Sequence, residues 1–116
     1  MTMIESPSRE ELGTAAVLFR GLGDPARLAV LRRLATGQAR VVDLTGELGL
    51  AQSTVSGHLA CLRGCGLVEA RPEGRQMYYR LVRPELLEVL AAAERLLAAG
   101  GEQIALCPIS GGDCCP

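Results

Sequence analysis

The fold is decided by the stretch A-Q-S-T-V-S-G-H-L-A-C-L-R-G-C-G-L-V, residues 51–68. Val55, Leu59 and Leu62 recur at the spacing of an α-helix and predict one buried stripe. Cys61 and Cys65 lie four residues apart on a neighbouring stripe, about 100° around the helix. Glycines follow directly, and glycine is the usual residue just past a helix end. The stretch therefore predicts a helix with a core face beside a face that carries two thiols.

The remaining surface of this helix begins with short polar side chains. They are Gln52, Ser53, Thr54, Ser56, Gly57 and His58. Side chains of this kind at the start of a helix are typical of one that reads base edges in a DNA groove. We expect His58 to anchor the helix or to face a backbone phosphate rather than to bind metal, and Arg63 to face phosphate or solvent. The pattern predicts a DNA-recognition helix with candidate metal ligands built into it.

Length and cysteine content limit the class of protein. The 116 residues fit one domain, and they contain neither a membrane-spanning apolar run nor a secretory signal pattern. The expected location is cytoplasmic, where thiols stay reduced. An odd number of cysteines, five, then favours metal or redox chemistry over a disulfide framework. We expect neither a membrane partner nor a small-molecule substrate.

Charge is distributed unevenly along the chain. The whole sequence has a net charge of −1, but residues 26–83 hold nine arginines against four acids, a net charge of +5. The flanking segments are correspondingly acidic. A basic centre between acidic ends suits a DNA-facing middle with acidic helices turned away from the phosphates.

Start and stop signals divide the chain into three parts. Residues 1–7 form a frayed start, residues 8–100 a DNA-binding and dimerisation domain, and residues 101–116 a cysteine-bearing tail. Capping residues Ser8 and Asp24 predict the first two helices, and residues 41–48 predict a third. The third helix and the recognition helix of the stretch quoted above are joined by a short glycine-containing turn, and together they form a helix-turn-helix.

After the recognition helix the pattern changes to strands. Residues 67–70 and 76–82 predict a β-hairpin, the wing, with Arg71 and Arg75 at its tip. A last helix over residues 85–99 has more apolar residues than a small core needs. The fold class is mainly α with a small β-hairpin, a winged helix-turn-helix in the order α-α-α-α-β-β-α. The apolar surplus predicts a homodimer through the first and last helices.

Three motifs in this order resemble the ArsR/SmtB family of metal-sensing winged-helix repressors. They are D-P-A-R at 24–27, S-T-V-S-G-H-L at 53–59 and G-R-Q-M-Y-Y at 74–79. The resemblance implies a homodimer that binds double-stranded operator DNA and leaves it when metal binds. The segment H-L-A-C-L-R-G-C-G-L-V is most similar to the CmtR-type branch, the cadmium and lead sensors. That branch implies metal ligands at Cys61, Cys65 and Cys107, while the pair Cys114-Cys115 is additional to its pattern.

The candidate ligands also indicate the effector. Thiolates favour soft or borderline ions, and among these the resemblance implies Cd²⁺ or Pb²⁺, with arsenite and Zn²⁺ as alternatives. A thiol-redox-sensing repressor of the same fold stays open, as does a metallochaperone-like protein, which the recognition helix and the wing arginines argue against. An enzyme is not expected, because no nucleophile–base pair or paired acids converge in the sequence.

Overall fold

Five helices and one β-hairpin follow one another in the computed structural model, which describes residues 6–108. The elements are α1 (Arg9–Leu22), α2 (Pro25–Leu34), α3 (Val41–Leu48), α4 (Gln52–Gly64), β1 (Val68–Glu73), β2 (Gln76–Leu81) and α5 (Glu85–Ala99). This is the winged helix-turn-helix order predicted from the sequence. No described helix is long and apolar enough to cross a membrane. Our expectations for residues 1–5 and for Cys114 and Cys115 lie outside the described residues.

The predicted caps begin the first two helices. The Glu11 amide donates to the Ser8 hydroxyl at 3.1 Å, and the Ser8 amide donates to the Glu11 carboxylate at 2.8 Å, which forms a capping box. The Arg27 amide donates to the Asp24 carboxylate at 3.0 Å. The N-cap residue of α4 is Ala51, whose side chain makes no capping hydrogen bond. The start of α4 therefore depends on tertiary packing rather than on a local hydrogen bond.

The core is built around one face of α4. Val55, Leu59 and Leu62 are buried, as their spacing predicts. They pack with buried side chains from α2, α3, β1 and α5; among these are Val30, Leu31, Leu34, Leu44, Val68, Leu86 and Leu90. α2 contributes Val30 more fully than Leu28, which is only half-buried. The position of α4 is therefore set by packing on most of the other elements.

The apolar stripe of α1 is not part of this core. Leu12 and Phe19 are exposed, Phe19 by 64%, and only Leu18, Gly21 and Leu22 at the end of the helix lie against the body of the protomer. α5 shares this property, because Val89 and Leu96 are exposed although Leu86 and Leu90 on the same helix are buried. Both helices thus present apolar surface that one protomer does not cover.

The wing differs in one respect from the predicted hairpin. β1 continues to Glu73, and the connecting turn is only Gly74-Arg75, with Gly74 at a positive φ of 64°. The prediction of a five-residue turn over residues 71–75 was wrong. Pro72 can lie within β1, because every strand of a two-stranded sheet is an edge strand, where proline is tolerated. Arg71 consequently lies within β1, and Arg75 lies in the turn.

A short pairing that the sequence did not predict ties the wing to the helices. Ala39 exchanges two backbone hydrogen bonds with Tyr79 of β2, at 2.8 and 3.0 Å. Ala39 is buried and lies two residues before the start of α3. The pairing fixes the hairpin relative to the helix-turn-helix.

We expect Leu62→Ala to reduce the free energy of unfolding by about 2–5 kcal/mol, because Leu62 is completely buried and its truncation leaves a cavity. Val42→Ala is the control, since Val42 is 61% exposed and its loss should change stability by less than about 0.5 kcal/mol. Urea denaturation at one fixed protein concentration measures both. Equal destabilisation by the two substitutions would contradict this account of the core.

Candidate metal centre and nucleic-acid interface

The start of α4 presents an exposed polar surface. The exposed residues on its first turns are Gln52, Ser53, Thr54, Ser56 and Gly57, and Arg63 is exposed near its end. The buried residues Val55 and Leu59 lie on the opposite side of the helix. This surface has the chemistry and the exposure that reading a DNA groove requires.

His58 lies at the edge of this surface and contacts the body of the protein. Its Nε2 atom lies 3.5 Å from an Asp24 carboxylate oxygen, and its side chain is only 17% exposed. The same carboxylate caps α2, and the pKa of Asp24 is held below its usual value, first by the hydrogen bond from the Arg27 amide. His58 is therefore in position to anchor α4 to the start of α2, one of the two roles expected for it.

The wing arginines are exposed beside α4. Arg71 and Arg75 make no ion pair with any residue in the described range, whereas Arg80 pairs with Glu69 across the hairpin. A cleft of about 300 Å³ lies between the start of α4, α3 and the wing. Its lining includes Gln76 and Met77, which are not among the residues predicted to contact DNA.

The thiol pair, Cys61 and Cys65, lies at the other end of α4. Both thiols are free and half-buried, and they are within hydrogen-bonding contact of each other. The pKa of the Cys65 thiol is raised, mainly by burial and then by the neighbouring Cys61, while Arg27 acts in the opposite direction. A metal ion binding here would have to displace the proton that burial favours.

Cys65 packs against the end of α1. A Cβ atom added at Gly21 would lie 3.2 Å from the Cys65 sulfur, so the missing side chain of Gly21 leaves the space that the sulfur occupies. Leu18, Leu22 and Val89 border the same concave apolar surface. Cys65 therefore faces the two helices whose apolar stripes one protomer leaves uncovered.

Cys107 lies elsewhere. It is 3% exposed within the core cluster, its amide donates to a Glu94 carboxylate oxygen at 2.6 Å, and it is disulfide-bonded. Among residues 6–108, no three His, Cys, Asp or Glu side chains converge on a common point. The structure thus brings Cys61 and Cys65 together but does not bring Cys107 to them within one protomer. Cys114 and Cys115 lie outside the described residues.

These features define a winged helix-turn-helix DNA-binding regulator. Residues 24–70 match the family model described as bacterial regulatory protein, arsR family. The chain is 44% identical over 84 residues to the HTH-type transcriptional regulator CmtR of Mycobacterium tuberculosis, covering 72% of this chain and 71% of that protein. The protein belongs to the ArsR family and is a DNA-binding transcriptional repressor rather than an enzyme.

Two further relatives are informative. A probable mercury resistance operon repressor of Streptomyces lividans is 33% identical over 94 residues, which is 81% of this chain and 75% of that one. The homodimeric winged helix-turn-helix DNA-binding domain of a possible ArsR-family regulator from Mycobacterium bovis superposes with a TM-score of 0.72 at 29% identity. It covers 88% of this chain and 96% of that domain.

Replacing Arg71 and Arg75 together by alanine should weaken binding to any DNA duplex. Each lost phosphate contact removes about one unit from the slope of log affinity against log salt concentration, so we expect the slope to fall by about two for each bound protomer, or about four for a homodimer. Fluorescence anisotropy at several salt concentrations measures this slope. The double variant Arg9→Ala/Arg20→Ala, which removes two exposed arginines from α1, is the control for net charge. An unchanged slope in the double variant would mean that the wing does not contact DNA.

Proposed function

We propose that this protein is a cytoplasmic metal-responsive repressor that binds operator DNA as a homodimer and leaves it when Cd²⁺ or Pb²⁺ binds. The ligands would be Cys61 and Cys65, with Cys107 as the third. The observation that carries this proposal is the thiol pair: two free thiols in mutual contact on the same helix that presents the polar DNA-facing surface.

The chemistry of the thiol pair fits a soft ion. Two residues four apart on a helix have Cβ atoms about 6 Å apart, so both sulfurs can reach one ion. Deprotonated thiols select soft or borderline metals, and no histidine or carboxylate joins the pair within residues 6–108. A structural zinc site would require four ligands. The set therefore suits Cd²⁺ or Pb²⁺ better than Zn²⁺, and arsenite remains an alternative effector for three thiols.

The third sulfur needs a source outside the immediate surroundings of the pair. Cys107 of the same protomer is buried beside Glu94 and does not converge with Cys61 and Cys65. Cys65 of the pair instead borders Leu18 and Val89, on the side of α1 and α5 that a partner would cover. This arrangement favours a tail thiol from the other protomer.

Dimerisation follows from the uncovered apolar surface. Leu12, Val17 and Phe19 on α1 and Val89 and Leu96 on α5 are exposed in the single protomer. Covering them with a second copy would bury this surface and pair two recognition helices. The solved relative from Mycobacterium bovis is described as homodimeric, which supports the same assembly here.

The proposed coupling between metal and DNA uses residues of one small region. Cys65 touches α1 at Gly21, and the Arg27 guanidinium donates to the Gly21 and Arg20 carbonyl oxygens, both at 2.8 Å. A change in the position of Cys65 would therefore act on both the recognition helix and the dimer helix. Releasing most of the operator requires metal to favour the DNA-free form by about a hundredfold, roughly 2.7 kcal/mol.

We expect Cys61→Ser and Cys65→Ser each to repress normally but to ignore Cd²⁺ and Pb²⁺. Serine is nearly isosteric with cysteine but is a poor ligand for soft metals. The experiment follows thiolate-to-metal absorption and operator anisotropy in parallel while Cd²⁺, Pb²⁺, Zn²⁺ or arsenite is added under reducing conditions. Operator release that persists in both variants would remove the thiol pair from the proposal.

Tail variants in the same titrations identify the third sulfur. Cys107→Ser should lose the metal response while keeping metal-free operator binding, whereas the double variant Cys114→Ser/Cys115→Ser should resemble the unaltered protein. The reverse result would assign the third ligand to the tail pair. If metal still released the operator fully from both tail variants, no single tail position would be required as the third ligand beside Cys61 and Cys65.

Metal affinity should rise with pH. Burial raises the pKa of Cys65, so its thiol is protonated near neutral pH and must lose its proton when metal binds. Each displaced proton makes the apparent affinity about tenfold greater per pH unit, and the effect disappears above the thiol pKa. Cd²⁺ titrations of the unaltered protein and of Cys65→Ser between about pH 6 and 8 measure it. A pH-independent affinity would contradict binding through Cys65.

A thiol-redox sensor is the second candidate function. The mutual contact of Cys61 and Cys65 and the disulfide at Cys107 favour it. In that case hydrogen peroxide would take two electrons and two protons from two thiols, its O–O bond would break to give two water molecules, and one S–S bond would form. Operator release by peroxide without metal, reversed by dithiothreitol, would support this function over metal sensing.

A further inference from the structure

The chain reverses direction after α5 and folds back against the protein. Gly101 has a positive φ of 95°, and its amide donates to the Ala98 carbonyl oxygen at 3.0 Å. The Glu102 amide donates to Leu97 at 2.9 Å, which completes the turn. The returning segment is exposed until Leu106, which is half-buried, and Cys107, which is buried. The tail therefore ends, within the described residues, on the core side of α5.

Glu94 of α5 holds the buried end of this segment. Its carboxylate accepts a hydrogen bond from the Cys107 amide at 2.6 Å, across thirteen residues of sequence. The acceptor is a carboxylate oxygen in a half-buried position, where a hydrogen bond competes less with water than it would at the surface. No motif predicts this contact, because it depends on the reversal of the chain.

The two thiol regions lie on different sides of α5. Val89 borders the concave surface around Cys65, whereas Glu94 contacts Cys107. Five residues at about 100° each place these two positions about 140° apart around the helix. In the folded protomer Cys107 thus lies on a different side of α5 from Cys65 and is shielded from solvent.

We propose that Glu94 is a positioning residue: once the disulfide at Cys107 is reduced, it withholds the tail thiol by keeping Cys107 against α5 in the metal-free protein until the tail detaches. The inference rests on the proposed function, since it concerns access to the third ligand of that site. A protein whose tail is detached only part of the time binds metal more weakly, in proportion to the detached fraction. Glu94 therefore sets the metal concentration at which the repressor responds, without contributing a ligand.

Glu94→Ala tests this inference directly. The variant lacks the acceptor for the Cys107 amide, so the detached fraction should rise by about three- to tenfold, the range expected for one hydrogen bond. We expect iodoacetamide to alkylate Cys107 faster by that factor, as measured by peptide mass spectrometry without metal. The Cd²⁺ concentration for half-release of the operator should fall by a similar factor, with metal-free operator affinity unchanged. All samples contain a reductant, because Cys107 is disulfide-bonded.

Three further variants separate this role from a general effect on stability. Glu94→Gln keeps an oxygen that can accept the hydrogen bond and should behave nearly like the unaltered protein. Glu94→Asp keeps the charge but withdraws the carboxylate by one methylene, so it too should lose the hydrogen bond to the Cys107 amide. It provides the same test if Glu94→Ala fails to fold. Glu88→Ala removes an exposed acid from the same helix and should change neither measurement.

The outcomes are distinct. Unchanged alkylation of Cys107 in Glu94→Ala and Glu94→Asp would overturn the inference, because the tail would then be held by other contacts. Faster alkylation with a higher Cd²⁺ requirement would also overturn it, since Glu94 would then present the thiol rather than withhold it. If the unaltered protein showed no metal response at all, the proposed function would fail, while the alkylation rates would still decide whether Glu94 holds the tail.

Discussion

The burial of one face of α4 is the constraint on which the rest of the structure depends. Val55, Leu59 and Leu62 are nearly inaccessible to solvent, and they fix the rotation of the helix about its axis. Because a helix advances by about 100° per residue, fixing this face also fixes the direction of every other side chain on it. The polar residues at its start then face solvent, and the thiol pair at its end faces α1. One packing face thus orients two functional surfaces.

The junction between α1 and α2 links these surfaces to α1, one of the two helices proposed to form the dimer. Asp24 caps α2 and lies beside His58 of α4, and Arg27 holds the last carbonyl groups of α1. Gly21 touches the sulfur of Cys65. A short segment, residues 20–27, therefore contacts α4 near its middle and at its end. Such a junction can transmit a small displacement at the thiols, because packed side chains shift together rather than deform independently.

Tertiary contacts also decide which charges are available to DNA. Three arginines of the basic middle are in ion pairs, namely Arg33–Glu47, Arg40–Asp43 and Arg80–Glu69. The Arg40 guanidinium lowers the pKa of Asp43 to about 2, so that pair stays charged throughout the neutral range. Arg63, Arg71 and Arg75 are exposed and make no ion pair within residues 6–108. The net charge of +5 is therefore less important for binding than these three side chains.

The sequence by itself determined the order of the elements, the buried face of α4 and the proximity of Cys61 to Cys65. Each of these depends on local periodicity or capping, which the chain carries within a few residues. Only the tertiary structure decided that β1 runs through Pro72, that Ala39 pairs with the wing, and that Cys107 lies beside Glu94 rather than beside the thiol pair. These features join residues that are distant in sequence, and their geometry depends on how the elements pack. Local pattern specifies helices and strands, whereas the meeting of distant side chains is decided by the packing of the whole chain.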